Sequence, residues 1–352
     1  MGAEAVWREG GVRADRVRAS VIRERVPSGV AVLLCWGVIT SCAVVPASAQ
    51  TLNFARIGSI AGSADLVDVR DGYAYVVSGH TLTLVDISNP AAPRRTGAYT
   101  FPQKIWGFKV IGSLVYVAAD FFGLGILDIS NTAAPTLRGS FTTPGQAKNV
   151  AVFGTKAMVA DHMSGVDLLD LSNLAKPVST GSFFMEGYAK DVVSSGSLVY
   201  AVDAPAGLYV FDLAKPNPLE PVNSQQSTTA PASIEFPDDP SAPGPKIACL
   251  VGGGSLQVYD VTNPVAPIRV ATFRTPSGRP LRASMRGGLA YVADGPEGLV
   301  VVDLSTPTNP GIAGTFKTAS PARDVAVAGS LVFVAVGTGE GSGEVLILRQ
   351  TR

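Results

Sequence analysis

The chain has 352 residues, 46% of them hydrophobic and only 16% charged, with 28 basic side chains against 28 acidic ones. That balance leaves no cationic surplus to neutralise phosphates, which argues against a nucleic-acid partner. A chain of this length usually means two or three domains, but a repeat array escapes that limit because each unit packs only on its neighbours.

The first segment carries an address rather than a fold. Arg8, Arg13, Arg16, Arg18, Arg23 and Arg25 precede an apolar run from Val30 to Ile39, and Ala47-Ser48-Ala49 then stands before Gln50. Basic, apolar and small-residue regions in that order form a secretory signal, so residues 1–49 are expected to be cut away after Ala49. The apolar run is short for a membrane span. Ile39-Thr40-Ser41-Cys42 also resembles a lipobox, in which Cys42 would become a lipidated N-terminus. Ala43-Val44-Val45-Pro46 behind it is more apolar than a lipoprotein tether, which favours the cleavage site. Both readings export the chain to the periplasm, the cell surface or the medium, and only lipidation at Cys42 would hold it on a membrane. The basic region is long for a signal, which leaves room for a translation start downstream of Met1. After cleavage Cys249 alone remains, without a disulfide partner, in an apolar stretch that suits a buried thiol.

From residue 50 one phrase recurs. It reads Leu84-Val85-Asp86-Ile87-Ser88-Asn89-Pro90 at its first occurrence, and its aspartate returns as Asp128, Asp170, Asp212, Asp260 and Asp303. The spacings of 42, 42, 42, 48 and 43 residues match blades of a β-propeller rather than helical repeats. Each unit reads as a four-stranded antiparallel meander. In the third, strands are expected over 147–153, 156–160, 166–171 and 177–184, separated by Gly, Asn, Asp and Pro. The expected fold is all-β: a single seven-bladed propeller over residues 50–350. Its blades fall near 64–101, 105–141, 147–184, 189–224, 232–273, 281–316 and 322–348. The last lacks a fourth strand, and Phe54–Ile60 matches the fourth-strand runs Arg95–Phe101 and Leu137–Phe141, so it is expected to close the ring.

The repeated aspartates read as scaffold, because a short carboxylate followed by Ser-Asn-Pro accepts nearby backbone N–H groups where a strand ends. A step of 48 residues marks an insertion in blade five, where Pro237–Pro245 carries Asp238 and Asp239; two carboxylates alone are a weak cation signal. The phrase, with an upstream Tyr-Val-Ala-Asp and Gly-Leu, resembles the LVIVD repeat family. Its closest copy here runs from Tyr291 to Leu304, and the resemblance covers nearly all of residues 54–348. It implies a propeller of the kind found in bacterial and archaeal exported and surface proteins, and it carries no shared catalytic residue.

Function is then sought where the units differ, on the face that holds the loops before each inner strand and between second and third strands. Lys148, Lys190, Arg282 and Arg323 align at the start of inner strands, with Asp65 and Trp106 in the same column, and Asp120, Asp161, Asp203 and Asp294 align at the ends of second strands. Cross-strand pairs Lys148–Asp161, Lys190–Asp203 and Arg282–Asp294 are the expectation. Trp106, Phe121 and Phe122 form an aromatic group beside them, with His162 and Met163 in blade three and His80 in blade one. The sequence carries no metal-binding, nucleotide or nucleophile-elbow motif, and no cofactor is expected. The reading that results is an exported, non-catalytic, monomeric propeller binding an envelope protein, peptide or glycan through this channel-mouth face. Two others stand beside it: an extracytoplasmic hydrolase or lyase using the rim carboxylates, and a structural envelope lipoprotein.

Overall fold

The computed structural model describes residues 51–227, 230–237, 246–339 and 342–351. The signal segment with Cys42, and Asp238-Asp239, lie outside them. Among the described residues the chain forms strands only, arranged as seven four-stranded antiparallel sheets. Inner strands are Leu66–Arg70, Gly107–Ile111, Asn149–Phe153, Tyr188–Ser195, Pro231–Glu235, Arg282–Arg286 and Ala322–Ala328. Six blades are plain meanders. The seventh is ordered Ala322–Ala328, Leu331–Gly339, Ser342–Thr351 and then Asn53–Ala61, so the N-terminal strand closes the ring as the sequence predicts.

The core is divided as a propeller requires. Seven buried clusters each join two adjacent blades; Leu82, Leu84, Phe101 and Ile105 meet Val115, Val117 and Leu127 between blades one and two. Blade seven meets blade one through Phe333, Ala335, Val345 and Ile347 against Val67, Ala74 and Val85. Strands buried on both faces explain the short aliphatic runs and the low charge. Cys249 is fully buried in the cluster shared by blades five and six, and burial pushes its thiol above its usual range, so it behaves as a small hydrophobe.

The repeated phrase turns out to be a joint between blades. Asp86, Asp128, Asp170, Asp260 and Asp303 each accept the backbone N–H two residues on, at 2.8–2.9 Å. Asp212 accepts that of Ala214 at 3.1 Å. Asn89, Asn131 and Asn173 then accept the N–H groups of Ala91, Ala133 and Ala175. The loop so shaped rests on a glycine in the fourth strand of the preceding blade: a Cβ at Gly97 would overlap the Thr132 carbonyl, and one at Gly139 the Leu174 carbonyl. The N-terminal strand supplies the matching glycine, Gly58, which receives Pro90 of blade one. Leu52 just before it plays the loop's part, lying against Gly314 of blade six and donating its N–H to Ala313 at 2.7 Å.

Candidate binding face

The inner strands of blades three, four and seven begin by stepping back onto the previous blade. Ala147 pairs with Asp120, Ala189 with His162 and Ala322 with Gly295, across blade boundaries. Asp120 and His162 hold the left-handed conformation there, at φ of 44° and 51°. This step decides which charges meet. Lys148 reaches Asp120 of blade two at 3.6 Å, and Lys190 donates to the Nε2 of His162 in blade three at 3.3 Å. Arg323 finds only Gly295 in that place and turns instead to Asp65 of blade one, at 2.8 Å.

The cross-strand pairs expected from the sequence therefore do not form. Asp161 accepts from Thr143 Oγ1 at 2.7 Å and from the Gly145 N–H at 2.6 Å. Asp294 accepts from Thr275 and from both the hydroxyl and the N–H of Ser277. Asp203 accepts the Gly187 N–H at 3.0 Å. All three are fully buried and fasten the loop that leads into their own blade. Asp120 is not their equivalent: Ala119 occupies that position, bonded to Gly123 as Asp161 is to Gly165, and Asp120 stands level with His162. Arg282 is likewise displaced by one, since Leu281 bonds to Ala293 in the manner of Lys148 to Ala160.

The aromatic group also divides. Phe122 turns inward, edge-on to Phe101 at 5.5 Å, and joins the core between blades one and two. Trp106 and Phe121 stay at the surface. The Trp106 ring carries two ammonium groups, Lys148 at 4.1 Å and Lys104 at 4.7 Å from its centroid. In the next blade Tyr188 stacks on His162 at 4.8 Å with Lys190 at 5.5 Å from its ring. Burial holds Lys148 below the usual lysine range, Asp120 opposes that, and Lys190 and Lys104 add to it. Burial, then Lys190 and Lys148, lower His162 against Asp120, which favours a neutral imidazole that accepts from Lys190. Met163, Phe184 and Tyr188 are exposed on these loops, while His80 of blade one stands exposed and apart.

Below the mouth lies a channel of about 640 Å³ lined by all seven inner strands. Here the structure reveals charged residues that the sequence reading passed over. Asp191 accepts the N–H groups of Val192 and Ile234, and Asp324 those of Val325 and Val67, so each carboxylate clips its own inner strand to the next blade's. Asn149 caps Val150 in the same register and donates to Asp191. Gly107 stands level with them and leaves the space that the Asn149 amide fills. Arg282 belongs to this ring and reaches across the mouth to the Trp106 carbonyl at 3.3 Å. Burial raises Asp324 to about 6, with Arg282 opposing; burial and then Asp191 raise Glu235 well above the carboxylate range. A signal for the ring exists in the sequence: a base followed at once by Asn or Asp, at Lys148-Asn149, Lys190-Asp191 and Arg323-Asp324.

Fold and face together define a β-propeller repeat protein whose differences between blades gather at one mouth. The LVIVD repeat matches residues 61–100, 104–143, 144–184, 186–227 and 281–318, more than half the chain, and the protein belongs to that family. Blades five and seven are the units left unmatched. Among solved structures the fold is similar to Raptor of Chaetomium thermophilum, with TM-score 0.69 and 14% identity over 86% of this chain. This chain spans only 29% of that one. It is also similar to the Cps50 (Swd1) β-propeller domain of Myceliophteria thermophila, with TM-score 0.69 and 10% identity over 85% of this chain and 100% of that one. Identities this low bear on fold alone. No curated protein matches the sequence.

Proposed function

We propose that this protein is an exported, non-catalytic scaffold that binds a protein, peptide or glycan of the cell envelope through the mouth face of blades two to four. A propeller repeat fold supports a scaffold or binding role in general. The observation that carries the finer reading is the exposure of Trp106, Phe121, Met163, Phe184 and Tyr188 on blades two to four, with three lysine ammonium groups set against the Trp106 and Tyr188 rings. Exposed apolar groups concentrated at one place on a monomer mark a contact surface. Export is supported by the arginine-rich, apolar and small-residue order of the first 49 residues. An intact mass beginning at Gln50 would support cleavage, and an acylated Cys42 would replace the free scaffold by a membrane-anchored one. The face is tested by recovering partners from the producing cell's envelope with Trp106→Ala and Lys148→Ala as controls. Partners recovered equally well by both variants would remove the face from consideration.

The hydrolase reading loses three of its four rim carboxylates, since Asp161, Asp203 and Asp294 are buried and engaged by their loops, and the fourth, Asp120, faces Lys148. What favours that reading lies in the channel, where Glu235 accepts no hydrogen bond among the described residues, is raised in pKa and faces the same space as Arg282. Turnover of any envelope substrate that Glu235→Gln abolishes would establish it.

A further inference from the structure

The mouth gathers its lysines on one side. On the side of blades six, seven and one, Arg323 is matched by Asp65 at 2.8 Å and Lys317 by Glu297 at 3.1 Å, and Arg279 stands exposed on the loop entering blade six. On the side of blades two to four, Lys104, Lys148 and Lys190 have one ion-pair partner among the described residues, Asp120 at 3.6 Å from Lys148, and His162 is held below the usual imidazole range by burial and then by Lys190 and Lys148. Glu186 stands exposed on the adjoining loop, and among the described residues it forms no ion pair with these lysines. The lysines are close enough that Lys104 and Lys190 both depress Lys148, a cost that an arriving anion would relieve.

Resting on the face proposed above, we propose that its occupant is an acidic peptide segment of another protein, with carboxylates at Lys148 and Lys190 and apolar side chains on Trp106, Phe121 and Met163. Two observations favour a peptide over a carbohydrate. First, sugar hydroxyls need acceptors as well as donors, and beside three lysines the mouth offers few: Asp161 is engaged by Thr143 and Gly145, Asn149 by Val150, and Asp120 is drawn to Lys148 at 3.6 Å. The lysines offer donors only. Second, the apolar contribution is large and adaptable, with Phe184 74%, Met163 65% and Phe121 58% exposed. Thioether and phenyl groups suit aliphatic side chains, and Met accommodates varied shapes. Lys148 and Lys190 stand one blade apart with Trp106 and Tyr188 beside them, so charge and apolar surface alternate along the rim as they do along an extended chain.

The test is a fluorescence titration of the full chain, with Trp106→Phe as the subtraction control that isolates the Trp106 signal. The probes are a blocked peptide of alternating glutamate and leucine, the same peptide with lysine for glutamate, and an oligogalacturonate of matched charge. The acidic peptide is expected to bind and to weaken as salt rises. Lys148→Gln and Lys190→Gln should each weaken it by about tenfold, the scale of one charge-assisted hydrogen bond. Lys317→Gln on the opposite side should leave it unchanged. Binding of the oligogalacturonate alone, with the Trp106 response intact, overturns the peptide and keeps the face. Peptide binding indifferent to both Lys148→Gln and Lys190→Gln overturns the face itself. No response to the acidic peptide at millimolar concentration overturns the inference.

Discussion

Two sets of aspartates follow the same repeat, one at each end of the blades, and they do opposite work. Asp86, Asp128, Asp170, Asp212, Asp260 and Asp303 sit half-exposed where third strands end, each holding a backbone N–H in its own loop. Asp161, Asp203 and Asp294 are fully buried where second strands end and fasten the neighbouring loop. Their acidities part accordingly. Hydrogen bonds from Ser88, Ser130 and Ser172 hold Asp86, Asp128 and Asp170 below the usual range, whereas burial raises Asp161 and Asp203. Both sets keep the repeat's spacing, and burial is what separates them.

Blade seven dispenses with both kinds. By register Arg349 opposite Leu331 stands where Asp303 stands opposite Leu289, and Val336 takes the position of Asp294. The N-terminal strand replaces them, pairing from Asn53 to Ala61 with the strand that ends at Thr351. Deleting residues 51–62 is therefore expected to give the largest effect, a single cooperative loss on the order of 5 kcal/mol in urea unfolding. A melting curve that did not move would show that blade seven holds without closure.

Within the comparison itself the sharpest contrast is Asp294→Ala against Asp303→Ala. The first strands Thr275 Oγ1 and both Ser277 donors, and should cost about 3 kcal/mol. The second frees one exposed N–H that water can satisfy, and should cost several-fold less. Equal losses by denaturant unfolding would erase the distinction between buried and exposed rings.

The rings should also differ in the sign of their pH dependence. Asp167 lies buried against Asp161, and burial, then the Asp161 charge, raise it to about 7. Its folded pKa exceeds the unfolded value of 3.8, so the folded state binds the extra proton and stability falls as pH rises from about 4 to 7. The lowered aspartates do the reverse: their contribution is present above the ordinary carboxylate value and is lost as pH falls below about 4. Asp167→Asn should flatten the neutral limb alone, because an amide can donate to Asp161 without ionising. Urea midpoints at pH 4.5, 6 and 7.5 would show this, and an unchanged slope would place the titrating group elsewhere.

Fold and site were legible to different degrees for a physical reason. Strand runs, glycines and Asp-Ser-Asn-Pro loops act within a blade, so their spacing along the chain already contains the architecture, including the match of Phe54–Ile60 to the other fourth strands. Contacts at the mouth run between blades. A left-handed residue at Asp120 and at His162 shifts alignment by one position, which sends Lys148 to Asp120 and not to Asp161. Asp191 and Asp324 were hidden for a related reason, since the backbone groups they clip belong to strands some 40 residues away or at the far end of the chain. Lys148 and Lys190 could be chosen from sequence because they share a column and Trp106 because it breaks that column, but their partners could not.

The smallest effect is expected at Asp128→Asn, and it isolates what the exposed ring contributes. Asparagine keeps a short acceptor in reach of the Ser130 N–H, so the turn that carries Asn131 and Thr132 toward Gly97 retains its shape. What is removed is the charge, which Arg138 meets at 3.5 Å with both side chains open to solvent. Exposed pairs of this kind contribute little because water and salt screen them and two flexible chains must be ordered to form them. Midpoints for the variant and the parent should therefore coincide at neutral pH and separate only in acid, where the parent carboxylate takes up its proton and the amide cannot. A loss at neutral pH as large as that of Asp294→Ala would mean that the charge, rather than the acceptor, shapes the joint between blades.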